Sequence, residues 1–235
     1  MAAGNRSGLI TEAGGEEEAP SESLTEASEG AFLLVAQDEE DFFMYQTLLA
    51  EASFFLFLLQ CDGEVAEEAR QRGCLACGGV LHRADYERRP RGEPRGLGAG
   101  FARRYSFCCG AEGCRKRNTP PSLRFLGRRV YLGAVVVLVS AMREGPTPTR
   151  LDRLQELIGV CPRTVRRWRQ WWQATFPRTA VWVATRGLLS RQVEETRLPG
   201  SLLDRLLGTV RERVVALLRL ISPLTSRPLP ADRNI

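Results

Sequence analysis

The chain has 235 residues, of which 43% are hydrophobic and 26% charged, and its formal net charge is +5. This is the composition of an ordinary globular protein with one or two modest domains. The N-terminus lacks the ordered basic, apolar and small-residue regions of a signal peptide, and the longest apolar run (130–142) is too short to cross a bilayer, so we expect a soluble cytoplasmic protein that does not contact a membrane.

Residues 1–30 form an acidic head. Between residues 1 and 60 the chain has one arginine against twelve aspartates and glutamates, a balance of −11. The first 30 residues hold almost no large apolar side chains, so they cannot bury enough surface to offset the loss of chain entropy. We therefore expect this head to be disordered. The head has two possible roles: it contacts a basic partner, or it screens the chain's own basic surface.

The next segment, residues 31–72, has a helical pattern of apolar residues at spacings of three and four. They are Phe42, Phe43, Leu48, Leu49, Phe54, Phe55, Phe57, Leu58 and Leu59. The first interpretation is one or two core helices. The second is a dimerisation helix, with residues 42–59 as the surface of a possible homodimer. Cys61, which follows this run, is expected to act as a small core residue.

Residues 73–118 hold five of the seven cysteines and the only histidine. In a reducing compartment such thiols bind metal rather than pair as disulfides. One pair forms a CxxC knuckle followed by glycine, and a second pair lies downstream with four residues between its thiols. Two thiolates from each of two knuckles give the tetrahedral coordination of a structural zinc site. The predicted Zn²⁺ ligands are Cys74, Cys77, Cys109 and Cys114.

Two neighbouring residues are alternative ligands for this ribbon. Cys108 can substitute for Cys109, and His82 can complete a site with three thiolates. Between the knuckles, residues 83–104 are rich in Arg, Gly and Pro and are predicted to form a long loop. Residues 83–129 carry thirteen basic against four acidic side chains, a balance of +9, so their arginines are expected to follow a polyanion.

Residues 119–176 are predicted to form a trihelical helix-turn-helix domain. The apolar residues 130–143 supply its first helix, and residues 149–175 supply a helical pair. Gly159 lies where the sharp turn requires positive φ, and Pro162 suits the first turn of the second helix of the pair. The buried stripe of that helix is predicted to be Val165, Trp168 and Trp172. Cys161 in the turn is expected to be a near-core residue. The alternative is an αα-hairpin whose arginines only face solvent.

The opposite face of the second helix is basic, and residues 143–187 carry nine arginines against three acids, a balance of +6. In a helix-turn-helix the second helix enters the major groove, and its N-terminal residues meet base edges. The candidate base contacts are Arg163, Thr164 and Arg167. The candidate phosphate contacts are Arg166, Arg169, Arg128 and Arg129.

The remaining chain divides into C-terminal helices at residues 177–222, with an amphipathic pattern over 202–222, and a loose Pro-rich tail at 223–235. The predicted fold is therefore mainly α, with a small β zinc ribbon and a helix-turn-helix (trihelical) domain.

Several features follow one another in a recognisable order. They are Cys74 with Cys77, Cys109 with Cys114, the segment TPPSLRFLGRR from Thr119, an apolar helix, and Leu154, Ile158, Gly159 and Val160 with Trp168. Together they resemble the DNA-binding N-terminal part of bacterial insertion-sequence transposases, which join a zinc ribbon to a helix-turn-helix. The resemblance covers about residues 72–175.

This sequence departs from the family pattern in three places within that region. There are 31 residues between Cys77 and Cys109, Gln155 stands where a small residue is usual, and Cys161 stands where serine is usual. Those transposases also continue into a nuclease domain whose carboxylates hold two metal ions. Only 60 residues follow Thr175, so the resemblance implies DNA binding without strand cleavage.

We therefore expect a zinc-stabilised protein that binds double-stranded DNA in the cytoplasm or on the nucleoid and is not an enzyme. RNA binding is a variant of this function, because an Arg/Gly loop also suits single strands. The alternative is a protein-interaction adaptor that uses the zinc ribbon and the Phe-rich helix.

Overall fold

The computed structural model describes residues 40, 43–88, 90, 92–94, 96–126, 131–142, 147–189 and 193–226, which all belong to one unit, Asp38–Ile235. The acidic head at 1–30, Arg128, Arg129 and residues 227–235 of the predicted tail lie outside these described residues. None of the helices within the described ranges is long and apolar enough to span a membrane.

The described residues of the N-terminal half form two helices and five short strands. They are α1 (residues 43–50), α2 (Ala52–Arg72), β1 (Leu81–Arg83), β2 (Tyr86–Glu87), β3 (Arg103–Arg104), β4 (Phe107–Cys109) and β5 (Arg117–Asn118). The strands pair antiparallel in two sheets, one in the order β1-β4-β5 and one of β2 with β3.

The C-terminal half is helical. Its α-helices and one π-helix are α3 (Gly133–Ala141), α4 (Pro148–Ile158), α5 (Pro162–Gln170), the π-helix (Trp171–Thr175), α6 (Ala180–Thr185), α7 (Gly200–Leu203) and α8 (Val210–Ile221). Single 3₁₀ turns lie at Phe176–Arg178, Arg186–Leu188, Glu195–Arg197 and Ser222–Thr225. The predicted class, mainly helical with a small antiparallel sheet, is confirmed.

Helix α3 is the centre of the main hydrophobic core. All nine of its residues are buried, as a helix that is apolar on every side requires. It contacts α5, and it also contacts α7 and α8 from the C-terminal segment. The helix predicted to open a three-helix domain is thus shared with the C-terminal helices, whose Leu217 and Leu218 lie in the same core.

Helix α2 contributes to two cores. Phe54, Phe55 and Leu58 near its start are almost fully buried in the main core, so the interpretation of this segment as a core helix is confirmed for them. Farther along the helix, Ala66 belongs to a second, smaller core. That cluster consists of Ala66, Cys74, Leu81, Phe107 and Cys109, and it lies under the three-stranded sheet.

The predictions of irregular chain at residues 83–104 and 223–235 are each wrong in part. Residues 86–87 and 103–104 pair as a short antiparallel ladder, and Phe101 between them is fully buried in the main core. At the C-terminal end, a 3₁₀ turn continues to Thr225, whose hydroxyl accepts a hydrogen bond from the backbone N–H of Ser122 at 2.8 Å. Burial of Phe101 therefore orders part of residues 83–104, and the hydrogen bond to Thr225 orders the start of the C-terminal tail, although the composition of both segments predicts irregular chain.

A buried ion pair joins α2 to the segment that leads into α3. The Nε of Arg124 lies 2.8 Å from Oδ2 of Asp62, and both side chains have no exposed surface. The other oxygen of Asp62 accepts the backbone N–H of Leu123 at 2.6 Å, and Oδ2 also accepts the hydroxyl of Ser122 at 2.6 Å. Both carboxylate oxygens are therefore satisfied, which makes the burial of the charge tolerable.

The remaining nitrogens of Arg124 donate to backbone carbonyls near β3. One bonds the carbonyl of Phe101, and the other lies 2.9 Å from the carbonyl of Arg103. The guanidinium also lies 4.7 Å from the ring centre of Phe125. Arg104 is likewise buried, with a nitrogen on the carbonyl of Pro120. The expectation that the arginines of residues 83–129 face a polyanion is therefore wrong for Arg104 and Arg124, which hold backbone segments together.

We predict that Arg124→Met lowers the free energy of unfolding by about 3–5 kcal/mol, because it leaves the Asp62 carboxylate buried without its counter-charge. Chemical denaturation followed by tryptophan fluorescence measures this loss. The control is Arg70→Met, which removes the exposed pair between Arg70 and Glu67 and should leave the midpoint unchanged. Equal midpoints for the two variants would show that the buried pair is not a structural requirement.

Candidate metal centre and basic helix

The first knuckle is folded tightly by its own backbone. The N–H of Cys74 donates to the carbonyl of Gly79 at 2.9 Å, and the N–H of Gly78 donates to the carbonyl of Cys74 at 2.8 Å. Gly78 has a φ of +70°, which favours glycine. A Cβ on Gly79 would lie 3.2 Å from the sulfur of Cys109 and 3.3 Å from that of Cys77, so a side chain here would crowd the thiols.

The four predicted ligands converge on one point. Their sulfurs all lie within 4.8 Å of one another. Cys74 and Cys114 are separated by 3.8 Å between sulfurs, and Cys77 and Cys109 by 3.5 Å. A tetrahedral ion with metal–sulfur bonds of about 2.3 Å places its ligands about 3.8 Å apart. The cluster therefore has the size and shape to hold one metal ion, as the cysteine spacing predicts.

Hydrogen-bond donors surround these sulfurs. The backbone N–H of Ala111 lies 3.4 Å from the sulfur of Cys109, and the side-chain amide of Asn118 lies 3.5 Å from that of Cys74. Hydrogen bonds from the backbone of Ala76 and from Asn118 lower the pKa of Cys74 to about 6, against the opposing effect of burial. The thiolate that a metal requires is thus stabilised at neutral pH. Sequence reasoning missed Asn118, because β5 brings it to Cys74 only after the chain folds back.

The alternative ligands lie elsewhere. In the register of the sheet His82 is opposite Cys108, one residue along from the pair Leu81 and Cys109. Successive side chains of a strand point to opposite faces, so His82 and Cys108 lie on the outer face and Cys109 on the inner one. Neither belongs to the cluster of four sulfurs, and His82 is exposed. The strand register therefore places Cys109, and not Cys108, in the cluster of four sulfurs.

Helices α4 and α5 are joined by a turn of three residues. Gly159, the first of them, has a φ of +64°, and Val160 is fully buried. The hydroxyl of Tyr131 donates to the carbonyl of Gly159 at 3.1 Å, and the Tyr131 ring packs edge-on against Trp168 with 4.9 Å between ring centres. These contacts hold the turn and helix α5 against the segment that leads into α3.

The predicted burial of Val165, Trp168 and Trp172 is confirmed, although Trp172 lies in the π-helix that follows α5. Trp171, the first residue of the π-helix, is also buried. Cys161 departs from its prediction as a near-core residue, since it is exposed at the start of α5.

The residues predicted to contact DNA differ in their exposure to solvent. Arg163, Arg166 and Arg167 are exposed, and Arg169 is partly buried. Thr164 was expected on the exposed face, and this is wrong: it is 6% exposed, and its hydroxyl lies 3.2 Å from the sulfur of Cys161. Its place in the first turn directs the side chain back toward the turn between α4 and α5.

Comparison with protein families, curated proteins and solved structures found no match to this chain. Its function must therefore be argued from its own residues.

We predict that Cys109→Ser abolishes metal binding, whereas Cys108→Ser, its neighbour on the outer face, retains one equivalent. The ribbon core has few apolar residues, so loss of about 10 kcal/mol or more of binding free energy should unfold it. All four tryptophans lie in the main core, so their fluorescence should stay native. Metal analysis after reconstitution with Zn²⁺, together with limited proteolysis, tests this. Equal metal content in the two variants would contradict the assignment.

We predict that Gly159→Ala destabilises the chain by about 1–2 kcal/mol, because a Cβ is unfavourable at this positive φ. No atom lies within 4 Å of the position that the Cβ would take, so the cost is conformational. Gly159→Asn should cost less, since asparagine adopts this conformation more readily. Gly187→Ala, where a Cβ also meets no atom and φ is not positive, is the control. Urea unfolding compares them, and similar midpoints for both alanine variants would be inconsistent with a constrained turn.

Proposed function

We propose that this protein binds double-stranded DNA through α4 and α5, which act as a helix-turn-helix, beside a ribbon held by a structural Zn²⁺ ion. The observation that carries the proposal is the amphipathic character of α5. Val165 and Trp168 anchor one side in the core, while Arg163, Arg166 and Arg167 are exposed on the other. A fixed helix with a row of exposed cations is suited to insertion into the major groove.

The donor set supports zinc as the metal and a structural role for it. Four thiolates form a closed tetrahedral site, and thiolate ligands are those that zinc prefers. Cys74, Cys77, Cys109 and Cys114 would hold the ion, and it would supply the stabilisation that the small ribbon core lacks. Because all four positions on the ion would be taken by protein, none would be left for a substrate or water, so the metal would be structural rather than catalytic.

The turn between α4 and α5 supports the helix-turn-helix interpretation. Gly159 supplies the left-handed residue, Val160 is buried between the helices, and Pro162 begins α5. Arg163 and Arg167 are proposed to contact bases, and Arg166 and Arg169 phosphates. The buried Thr164 is withdrawn from the proposed base contacts. This arrangement, together with the cysteine pairs, is what supports a likeness to the DNA-binding part of transposases.

One observation favours the alternative function as a protein-interaction adaptor. A groove of about 730 Å³ runs along α2 beside Tyr105, and its lining includes Leu56, Leu59, Glu64, Glu67 and Glu68. Phe54 and Phe55 lie in the core, so an adaptor would dock its partner in this groove rather than on the phenylalanines. Its carboxylates would favour a basic peptide and repel DNA. A homodimer through residues 42–59 would use Phe43, Met44 and Leu56, which are exposed.

We predict that Arg167→Ala weakens binding to a selected duplex by about 1–3 kcal/mol and relaxes sequence preference, because a base contact is lost. Arg166→Ala should weaken binding to every duplex alike, since phosphates are the same in all sequences. Arg178→Ala removes an exposed arginine that lies after α5 and is the matched control.

Fluorescence anisotropy with the selected duplex and a scrambled one measures these effects at several salt concentrations. The logarithm of affinity should fall by about 0.9 per neutralised phosphate for each unit of log salt. The proposal fails if the zinc-loaded chain retains no duplex at low salt, or if Arg167→Ala and Arg178→Ala have the same effect.

A further inference from the structure

Three exposed side chains lie along the centre of the outer face of α5. Arg163, Arg167 and Gln170 are all exposed and follow the spacing i, i+4, i+7. Successive residues of an α-helix are rotated by about 100°, so these three positions fall within about 60° of one another on the helix surface. Arg166 lies at one edge of this arc, and Arg169 lies farther round and is partly buried. We name Arg163, Arg167 and Gln170 the central row.

The central row is built on a rigid support. Pro162 fixes the first turn of α5, and Trp168 on the opposite side is 5% exposed. Tyr131 packs against Trp168 in the last turn of the helix and donates a hydrogen bond to the carbonyl of Gly159 in the preceding turn, so α5 is held near both of its ends. Helix α5 itself contains no acidic residue that would neutralise its arginines. The guanidinium groups are therefore presented toward solvent from a fixed backbone.

The chemistry of these side chains restricts the base pairs that they can read. Arginine has only hydrogen-bond donors, arranged as a planar fork. In the major groove only guanine offers two adjacent acceptors, N7 and O6, to such a fork. Adenine places an N–H donor beside its N7, and cytosine presents an N–H donor, so both oppose a donor-only side chain. Glutamine carries one donor and one acceptor and is matched to adenine.

We infer that the DNA site contains guanines read through their major-groove edges by Arg163 and Arg167, with Gln170 matched to an adjoining adenine. This inference rests on the proposed DNA binding and adds the class of sequence that is bound. The two arginines are separated along the helix by a rise of about 6 Å, close to two base-pair steps of about 3.4 Å. They therefore meet different base pairs, and the site holds two guanines.

The experiment uses the full zinc-loaded chain and one duplex selected from a random pool. Each guanine of that duplex is replaced in turn by 7-deazaguanine, which lacks the N7 acceptor but still pairs with cytosine. In a parallel series it is replaced by inosine, which lacks only the minor-groove amino group. At two positions 7-deazaguanine should weaken binding by about 10- to 150-fold, the range for loss of one hydrogen bond to a charged group, whereas inosine should change it less than about twofold.

Variants assign each guanine to its arginine. Arg167→Ala should remove the sensitivity to 7-deazaguanine at one position only, and Arg167→Gln should shift the preference there from guanine to adenine. Arg178→Ala should retain the wild-type pattern, and native tryptophan fluorescence checks that each variant is folded. Duplex binding that is indifferent to 7-deazaguanine overturns the guanine inference alone. Failure to retain any duplex at low salt overturns the proposed DNA binding, and the inference with it.

Discussion

The ion pair between Asp62 and Arg124 joins the helical core to the cysteine ribbon, and each of its charges depends on the other because neither side chain reaches solvent. Asp62 belongs to α2, which contributes to both hydrophobic cores. Arg124 precedes α3 and bonds carbonyls next to β3. One buried guanidinium therefore connects a helix, a ribbon strand and the entry to the central helix. If the pair is broken, a charge is left in the interior and three segments lose a common attachment.

The two sides of this junction are stabilised by different means. The helical side buries four tryptophans and all nine residues of the largely apolar α3, so apolar packing stabilises it. The small core of the ribbon has only five buried hydrophobic residues, two of which are cysteines of the thiol cluster, so we propose that its stability depends on a metal ion at that cluster. Helix α5 belongs to the first side. The basic surface proposed to meet DNA is thus supported by packing, whereas the proposed metal would stabilise the neighbouring ribbon.

Local patterns in the sequence predict much of this structure. They do not predict which residues that are distant in sequence come into contact. The knuckle at Cys74 and Cys77, the glycine in the turn at Gly159 and the stripe of Val165 and Trp168 are each encoded within a few residues. Strand register was needed to separate Cys109 from Cys108. Thr164 was misplaced because periodicity alone does not reveal its contact with Cys161. Asp62 and Arg124 are 62 residues apart, and no local signal marks an acid and a base that meet only after folding.

The two candidate binding surfaces carry opposite charge, and this gives the functional account its most direct test. The outer side of α5 presents arginines, whereas the groove along α2 presents glutamates. Backbone amide chemical shifts of the zinc-loaded chain, followed during titration with duplex DNA, report which face is engaged. The account predicts that the largest shift changes fall at the start of α5 and in the turn before it. Largest changes along α2, with α5 unaffected, would contradict it.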